Sequence, residues 1–228
     1  VPYNDLAALE EAFQDNNVAG FLVEPIQAEA GVYIPEDGFL RKAWELCKKY
    51  NVLFAADEVQ TGFGRTGKFL ACDYEDVRPD LLILGKAASG GMYPVSCVLA
   101  DDEIMLTIKP GEHGSTYGGN PVVCAGALSV LNQICNEDMY SKIKNNEAII
   151  RNMISEANLP NVKEVRGLGL MIGIEIDGDS STIQKEALTK GLLVLTAGPN
   201  VIRLLPPLVI SDSDLKDGLN ILIEILKS

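Results

Sequence analysis

The sequence predicts an α/β fold: a mostly parallel sheet with flanking helices, followed by a smaller α+β domain. Through the first 138 residues, short apolar runs alternate with stretches of helical periodicity, a pattern typical of β-α-β units. Beyond residues 159–161, short strand-like runs follow one another more closely, and a long helical stretch that ends near residue 157 joins them to the first part of the chain. We therefore predict residues 1–138 as part of a large domain and residues 139–228 as a C-terminal small domain.

The first elements of the chain are a helix and a strand. Asn4 or Asp5 can cap the helix, because a short polar side chain accepts hydrogen bonds from the free amides of the first turn. The apolar face of this helix is formed by Leu6, Leu9 and Phe13. The apolar run 18–23 predicts the strand, and we expect residues 24–31 to form a loop.

A second helix and two buried strands follow. Residues 38–49 have apolar side chains at helical spacing and end on two lysines, which suit the negative end of the helix dipole. The runs 52–56 and 81–85 are short and apolar, as expected of strands buried in a parallel sheet. Asp57 directly follows the first of these runs, and Lys86 directly follows the second.

The remaining elements complete both predicted domains. A further strand is predicted at 93–100. Pro121 suits the first turn of a long helix, because the amide hydrogen that proline lacks is not needed there. The helical pattern runs from Pro121 to residue 157 with a break near residue 137. The later elements are strands at 162–166, 170–176, 192–196 and 201–205 and helices at 181–189 and 212–226.

The composition argues against several classes of function. The 19 lysines and arginines against 32 acidic residues give a net charge of −13, which disfavours nucleic acid and anionic membranes as partners. No apolar run approaches the roughly 20 residues needed to cross a bilayer. The five cysteines share no CxxC spacing. We therefore expect reduced thiols in a cytoplasmic protein, with the mitochondrial matrix as the alternative compartment.

Asp57 and Lys86 are the leading candidates for chemistry. Ligands of open α/β sheets bind outside the carboxyl ends of the strands, and a charge buried there requires a partner. Pyridoxal phosphate would partner both residues, since its ring nitrogen takes a carboxylate and its aldehyde takes a lysine amine. Gln60 could then reach the ring hydroxyl, and Val59 could pack on one ring face. Taken singly, Asp57 could cap a turn and Lys86 could be a solvated lysine.

Two other stretches are candidates for binding anions. The glycine-rich stretch 114–121, which includes Ser115 and Thr116, suits a phosphate. Arg203 lies within an apolar strand and therefore requires an anion, either an internal carboxylate or that of a substrate. Both interpretations hold if Glu29 occupies Arg203 when substrate does not. The chain has a single histidine, which rules out a multi-histidine metal site.

Several motifs, in order and at family-like spacing, resemble those of the class III aminotransferases, also called ω-aminotransferases. The matching stretches are Val23-Glu24-Pro25-Ile26-Gln27 with Glu29, 56–62, Gly64-Arg65-Thr66-Gly67, Arg78-Pro79-Asp80, Gly85-Lys86 and 109–121. The similarity to the family covers essentially the whole chain. One departure from the family pattern is Ala28, which stands between Gln27 and Glu29 where the family usually has glycine.

The resemblance implies the fold of fold-type I pyridoxal-phosphate enzymes and a cofactor-binding set. Lys86 would hold the cofactor covalently and transfer a proton. Asp57 would bind the ring nitrogen, Gln60 the ring hydroxyl and Val59 one ring face. The resemblance also implies that Ser115 and Thr116 reach the cofactor phosphate of a neighbouring subunit, and hence a homodimer with shared active sites.

The resemblance further implies amino-acid and oxo-acid substrates. Arg203 would bind the α-carboxylate of glutamate or 2-oxoglutarate, and Glu29 would pair with Arg203 while a terminal amine reacts. The similarity is strongest to ornithine-specific members, which transfer the δ-amino group of ornithine to 2-oxoglutarate and give glutamate semialdehyde and glutamate. Residues 165–173 and 191–196 look more like acetylornithine-type members, so acetylornithine and 4-aminobutyrate are alternative amine donors.

Two hypotheses from other classes remain open. The N-terminal part of the family fold, with its main phosphate loop and substrate-selecting residues, has no counterpart in this sequence. The 228 residues could therefore form an inactive structural or interaction fragment. A lysine-dependent aldolase would use Lys86 without a cofactor, but it would leave Asp57 and Gln60 unexplained.

Overall fold

The computed structural model describes residues 1–227 and divides the chain into two compact units. The first unit contains Val1–Pro25, Pro35–Phe63 and Lys68–Cys135. The second contains Ile26–Ile34, Gly64–Gly67 and the residues from Asn136 onward. Compactness does not by itself establish a domain that folds alone, so the predicted domains 1–138 and 139–228 stay predictions.

Eight helices and eight strands are present in the described residues. In chain order the helices are α1 (Leu6–Ala12), α2 (Ala28–Gly31), α3 (Phe39–Tyr50), α4 (Asp102–Met105), α5 (Pro121–Ile134), α6 (Glu137–Glu156), α7 (Ser180–Thr189) and α8 (Asp212–Lys227). The strands are β1 (Gly20–Val23), β2 (Leu53–Asp57), β3 (Leu81–Leu84), β4 (Cys97–Ala100), β5 (Val162–Leu168), β6 (Met171–Ile176), β7 (Leu195–Thr196) and β8 (Val201–Leu204). Two 3-10 helices cover Ala71–Glu75 and Lys86–Ser89.

The first unit is built on a four-stranded sheet in the order β1-β2-β3-β4. β1, β2 and β3 are parallel, and β4 pairs antiparallel with β3. The sheet is therefore mostly parallel, which confirms the predicted fold class. Because parallel strands end at the same edge, the carboxyl ends of β2 and β3 are neighbours, and the register pairs Asp57 with Ile83.

A single apolar core packs α1 and α3 against this sheet. Phe54 of β2 is fully buried at its centre, with the Phe21 ring of β1 at 5.9 Å between ring centroids. The apolar face of α3 is Phe39, Leu40, Ala43 and Cys47, all buried at the helical spacing that the sequence predicts. Lys48 and Lys49 lie in its last turn, as expected from the helix dipole.

The second unit is an antiparallel sheet covered by helices. Its strand order is β5-β6-β8-β7, and every pairing is antiparallel. The buried side chains of β6, β8, α6 and α8 form its core, with Ile172, Ile174 and Ile202 fully buried. Among residues 1–227 no helix is long and apolar enough to cross a membrane.

The structure differs from the predicted elements in a few places. α2 is a one-turn helix inside the predicted loop 24–31. The predicted break near residue 137 is confirmed: α5 and α6 are separate helices, and Asn136 caps α6 by accepting the Met139 amide at 2.9 Å. β7 is shorter than predicted, because only Leu195 and Thr196 pair with β8.

Candidate active site

In the first unit, Asp57 and Lys86 leave the sheet at one edge. Asp57 is the last residue of β2 and is paired with Ile83 of β3. Lys86 follows Ile83 by three residues and begins a 3-10 helix. The amide of Glu58 donates to the Ile83 carbonyl at 3.0 Å, which extends the pairing one residue past Asp57. The backbone therefore brings the ends of β2 and β3, with Asp57 and Lys86, to neighbouring positions, and their role as a site stays a prediction.

Lys86 has an unusual backbone conformation. Its φ of +42° lies in the left-handed region of backbone conformation, which residues other than glycine rarely adopt. Such conformations cost energy and are concentrated at functional sites. The Lys86 side chain is exposed within the described chain, so its amine is accessible to a ligand at the carboxyl edge. This strained position supports a functional role for Lys86 over that of an ordinary turn lysine.

The turn after Asp57 presents Val59 and Gln60. The Asp57 Oδ1 atom accepts the Val59 amide at 3.1 Å, which leaves Oδ2 for another partner. The Val59 side chain lies against Gly85, so close that a Cβ atom on Gly85 would approach it to 3.3 Å. Val59 therefore packs beside the residue preceding Lys86, while Gln60 stays partly exposed.

Glu58 organises this turn, and sequence reasoning missed it. It is fully buried, accepts the amides of Ala71 and Cys72 at 3.0 and 2.8 Å, and pairs with the Thr61 hydroxyl. Burial raises the pKa of Glu58, and the hydrogen bonds from these three groups oppose that shift. A carboxylate beside an apolar strand end was the sequence signal that could have identified this anchor.

Ser115 and Thr116 lie in an exposed loop of the first unit. The Ser115 hydroxyl accepts the Gly118 amide at 2.8 Å, which shapes the turn before α5. Asn120 caps α5 by accepting the amides of Val122 and Val123. The loop thus presents hydroxyl groups to solvent just ahead of a helix N-terminus, a setting suited to an anion.

In the second unit, Arg203 and Glu29 form an ion pair. Arg203 lies on β8 between Gly173 of β6 and Leu195 of β7. Its Nη1 atom is 2.7 Å from the Glu29 Oε1 atom. The Arg203 side chain is only 6 % exposed, whereas that of Glu29 is 63 % exposed. The buried cation therefore has an internal partner that can reach solvent without unfolding the strand.

Arg65, another arginine of the second unit, holds the chain that follows β8. Its Nη1 atom donates to the carbonyls of Pro206 at 2.6 Å and Leu170 at 3.2 Å. Burial lowers the pKa of Arg65 to about 10, so it remains a cation at neutral pH. The structure thereby fixes both the strand that carries Arg203 and the residues just beyond it.

Other chemistry finds little support in residues 1–227. No group of three or more His, Cys, Asp or Glu side chains is arranged to hold a metal ion in this part of the chain. All five cysteines are free thiols; Cys47 and Cys72 are buried and the other three are exposed. Desolvation on burial raises the pKa of Cys47 to about 12, which makes it a poor nucleophile.

A comparison with known families decides the identity of the fold. A model described as aminotransferase class-III matches residues 2–226. The chain belongs to the class-III aminotransferases. A rat relative, named ornithine aminotransferase, mitochondrial, is 50 % identical over 226 residues, covering 97 % of this chain and 52 % of the rat protein. The chain thus spans about half the length of the curated relatives it matches.

Solved structures agree with this family membership. An ornithine aminotransferase from Toxoplasma gondii, described as having partial occupancy of PLP at its active site, matches with a TM-score of 0.94 and 40 % identity. The match covers 99 % of this chain and 55 % of that one. An acetylornithine aminotransferase from Elizabethkingia anophelis matches with a TM-score of 0.92 and 48 % identity, covering 99 % and 59 %.

The residues of this class-III aminotransferase chain fit pyridoxal phosphate. Asp57 offers an uncommitted carboxylate oxygen, and Lys86 offers an accessible amine at the same sheet edge. Val59 supplies an apolar surface beside them, held against Gly85. A carboxylate, an amine and an apolar surface are three of the groups that hold this cofactor, and its phosphate requires further ones.

Proposed function

We propose that this chain is part of a pyridoxal-phosphate enzyme that transfers the δ-amino group of ornithine to 2-oxoglutarate. The products are glutamate semialdehyde and glutamate. The observation that carries the proposal is the placement of Asp57 and strained Lys86 at the adjacent carboxyl ends of β2 and β3. Membership of the class-III aminotransferases supports the reaction type, and the relatives named as ornithine aminotransferases support the amine donor.

The cofactor, when bound, supplies an aldehyde for covalent attachment and a ring that withdraws electrons from the substrate carbon. Asp57 would keep the ring nitrogen protonated by pairing with it. Gln60 would bind the ring hydroxyl, and Val59 would pack on one ring face. Lys86 would hold the cofactor covalently through its Nζ atom, and the same amine, when free, would accept and return the proton that moves during transamination.

Arg203 and Glu29 select how each substrate binds. Ornithine must present its terminal amine for reaction, so an Arg203 not paired with Glu29 would bind the α-carboxylate of ornithine and misdirect it. Glu29 neutralises Arg203 during that half of the cycle. 2-Oxoglutarate brings an α-carboxylate that displaces the exposed Glu29 and forms a bidentate pair with Arg203. Because Arg203 is largely buried, its electrostatic attraction to whichever anion it binds is stronger than it would be in water.

The active enzyme is proposed to be a homodimer with shared sites. Ser115 and Thr116 project from an exposed loop and would bind the cofactor phosphate of the partner subunit. The same region exposes large apolar side chains, namely Leu106, Ile108, Tyr117 and Val122.

Replacing Lys86 by Ala in the intact protein tests the proposal. We expect the visible absorbance band of bound cofactor to shift and ornithine-dependent glutamate formation to fall by at least roughly a thousandfold, the order seen when a covalent catalytic group is removed. Lys68→Ala is the matched control, because the contacts of Lys68 within residues 1–227 are with the Asp73 carbonyl and the Tyr74 ring of the same unit. Persistence of both band and turnover in the Lys86 variant would refute the proposal.

Acetylornithine is the second candidate donor. The Elizabethkingia structure, 48 % identical, and the resemblance of residues 165–173 and 191–196 to acetylornithine-type enzymes favour it. Assaying ornithine, acetylornithine and 4-aminobutyrate side by side with 2-oxoglutarate separates the candidates. The proposed function requires ornithine to have the highest kcat/KM of the three. The compartment, cytoplasm or mitochondrial matrix, stays a prediction.

A further inference from the structure

Glu29 lies on a small closed loop of the second unit, residues 27–33, which we call the 27–33 loop. Its ends are joined by two backbone hydrogen bonds between Gln27 and Tyr33, at 3.0 and 3.1 Å. α2 forms its middle, and Val32 adopts a left-handed φ of +56°. Two of its residues, Ala28 and Val32, are fully buried and pack in an apolar cluster with Met171. The exposed part of the loop, which includes Glu29, depends in addition on the polar contacts that hold the backbone near Gly31.

Arg166 of β5 holds the 27–33 loop at two points. Its Nε atom donates to the Gly31 carbonyl at 2.9 Å. Its guanidinium lies over the Tyr33 ring, 4.6 Å from the ring centroid. The Arg166 side chain is only 9 % exposed, which strengthens its charge-assisted hydrogen bond to Gly31, whereas Tyr33 is 45 % exposed, so the ring contact is partly in water and weaker.

The other side of Arg166 is fixed by two carboxylates. Its Nη1 atom lies 2.7 Å from a Glu164 oxygen and 2.6 Å from a Glu175 oxygen. Glu164 and Glu175 lie opposite each other on the paired strands β5 and β6. Arg166 therefore links the sheet to the 27–33 loop, and its guanidinium has no freedom to follow a moving loop.

The loop is shaped to accept this arginine. Gly31 has a φ of +140°, and a Cβ atom there would lie 2.9 Å from a Tyr33 ring carbon and 3.3 Å from the Arg166 Nη2 atom. Any larger residue would push the ring or the guanidinium aside. Nη2 itself is buried and has no hydrogen-bond partner among residues 1–227. A buried donor without a partner lowers the stability of the fold. Stability alone is therefore a poor explanation for the contacts between Arg166 and the 27–33 loop.

We propose that Arg166 is a positioning residue for Glu29. It fixes the backbone of the 27–33 loop, so that the Glu29 side chain alone exchanges with a substrate carboxylate at Arg203. Arg166 thereby sets the preference between a substrate that reacts through a terminal amine and one that binds Arg203 through its α-carboxylate. This inference rests on the proposed function of the Glu29–Arg203 pair.

Hydrogen exchange followed by mass spectrometry tests the positioning directly in the intact protein without substrate. In Arg166→Lys, a single ammonium cannot satisfy both carboxylates and the Gly31 carbonyl. We expect amide exchange in residues 28–33 to rise about tenfold, as for loss of one charge-assisted hydrogen bond. Tyr33→Leu removes the contact between the Tyr33 ring and the Arg166 guanidinium and should raise the rate of amide exchange in residues 28–33 about threefold.

Substrate preference is the second readout. In Arg166→Lys, the ratio of kcat/KM for ornithine to kcat/KM for glutamate should fall about tenfold, because Glu29 then shields Arg203 less often. In a Glu29→Ala background, where no Glu29 remains to be positioned, Arg166→Lys should change that ratio less than about twofold. Lys163→Met is the matched control: it breaks the Lys163–Asp177 pair on the same β5–β6 hairpin and should change neither readout.

Three results would overturn the inference. The first is unchanged amide exchange in residues 28–33 of a folded Arg166→Lys variant, and the second is faster exchange there with an unchanged ratio of the two kcat/KM values. The third is a fall of that ratio on Arg166→Lys that is as large in the Glu29→Ala background as in the wild-type background. Failure of the proposed function is distinguishable from these. A wild-type protein that transaminates neither ornithine nor glutamate would reject that function. In that case, amide hydrogen exchange in the 27–33 loop of the Arg166 variant would alone decide whether Arg166 positions this loop.

Discussion

The Arg203 Nη1 atom lies 2.7 Å from the Glu29 Oε1 atom, and the two side chains differ tenfold in exposure, 6 % against 63 %. A buried arginine cannot give up an anion without another to replace it. An exposed glutamate, in contrast, recovers hydration when it leaves. The pair therefore exchanges one carboxylate for another at Arg203 more easily than it separates.

Replacing Glu29 by Ala should strengthen binding of dicarboxylates. Arg203 then lacks the Glu29 carboxylate, so an incoming carboxylate no longer has to displace it. We expect the inhibition constant of glutarate, a dicarboxylate with no reacting group, to fall about tenfold, which matches the 1–3 kcal/mol of a charge-assisted pair. Steady-state inhibition against 2-oxoglutarate measures it. Glu103→Ala, a change of an exposed acid on α4, is the control. An unchanged or higher constant in Glu29→Ala would argue against the exchange.

The placement of Arg203 and Glu29 shows what sequence can and cannot predict. An arginine inside an apolar run predicts a buried cation that needs an anion, because burial without a partner is costly. Glu29 as that anion depended on the family resemblance, since 174 residues separate the two in the chain. Arg166, which holds the Glu29 loop, had no local signal: its partners Gly31, Glu164 and Glu175 meet only in the folded unit.

The elements show the same division. β2 and β3 were predictable because their runs are short and apolar, and periodicity is a local property. α2 was not, since its four residues include glycine and are shaped by contacts from β5 and β6, such as the packing of Val32 against Gly173. Tertiary contacts override local propensity most easily in such short segments.

Glu58 should make stability depend on pH. Its pKa is raised above the ordinary value of 4.5, chiefly by burial, so the native protein binds this proton more tightly than the unfolded chain. That contribution is complete below about pH 4.5 and is lost as pH rises through the native pKa. Glu58→Gln cannot titrate. Urea unfolding of the intact protein between about pH 4.5 and 8 should therefore show wild-type stability declining relative to the variant. A pH-independent difference would contradict the raised pKa.

Gly62 should tolerate no side chain. A Cβ atom there would lie 2.8 Å from the Glu58 carbonyl oxygen, which also accepts the Gly62 amide, and 3.0 Å from Leu84. Gly62→Ala must push the Asp57–Gln60 turn away from β3. We expect a loss of about 1–3 kcal/mol in the free energy of unfolding and several-fold weaker pyridoxal phosphate binding, measured by equilibrium titration.

The control for that change is Gly114→Ala. No heavy atom lies within 4 Å of the position that its Cβ would occupy. Its free energy of unfolding should stay within about 0.5 kcal/mol of wild type, as for an ordinary surface substitution. Equal losses at the two glycines would show that the close contact at Gly62 does not set the shape of the turn.

Thr116 should serve the cofactor phosphate. Loss of its hydroxyl in Thr116→Ala removes one hydrogen bond to a dianion, so we expect the dissociation constant of pyridoxal phosphate to rise about tenfold. Thr107→Ala is the matched control from the same exposed segment, because its hydroxyl binds only the Ile104 carbonyl, at 2.7 Å. Fluorescence titration of the apoprotein measures both. Equal increases of the dissociation constant in the two variants would show that any change in this exposed segment weakens cofactor binding. They would contradict a specific hydrogen bond from Thr116 to the phosphate.

Mixed dimers decide which subunit Thr116 serves. When Lys86→Ala and Thr116→Ala chains are refolded together, a Thr116 that reaches across the interface leaves one unaltered site in every mixed dimer: Lys86 from one chain and Thr116 from the other. A Thr116 that serves its own subunit leaves none. Random pairing makes half of the dimers mixed, so crossing should restore about a quarter of wild-type ornithine activity per chain at subsaturating cofactor. Activity no greater than the mean of the two separate variants would place Thr116 in the site of its own subunit.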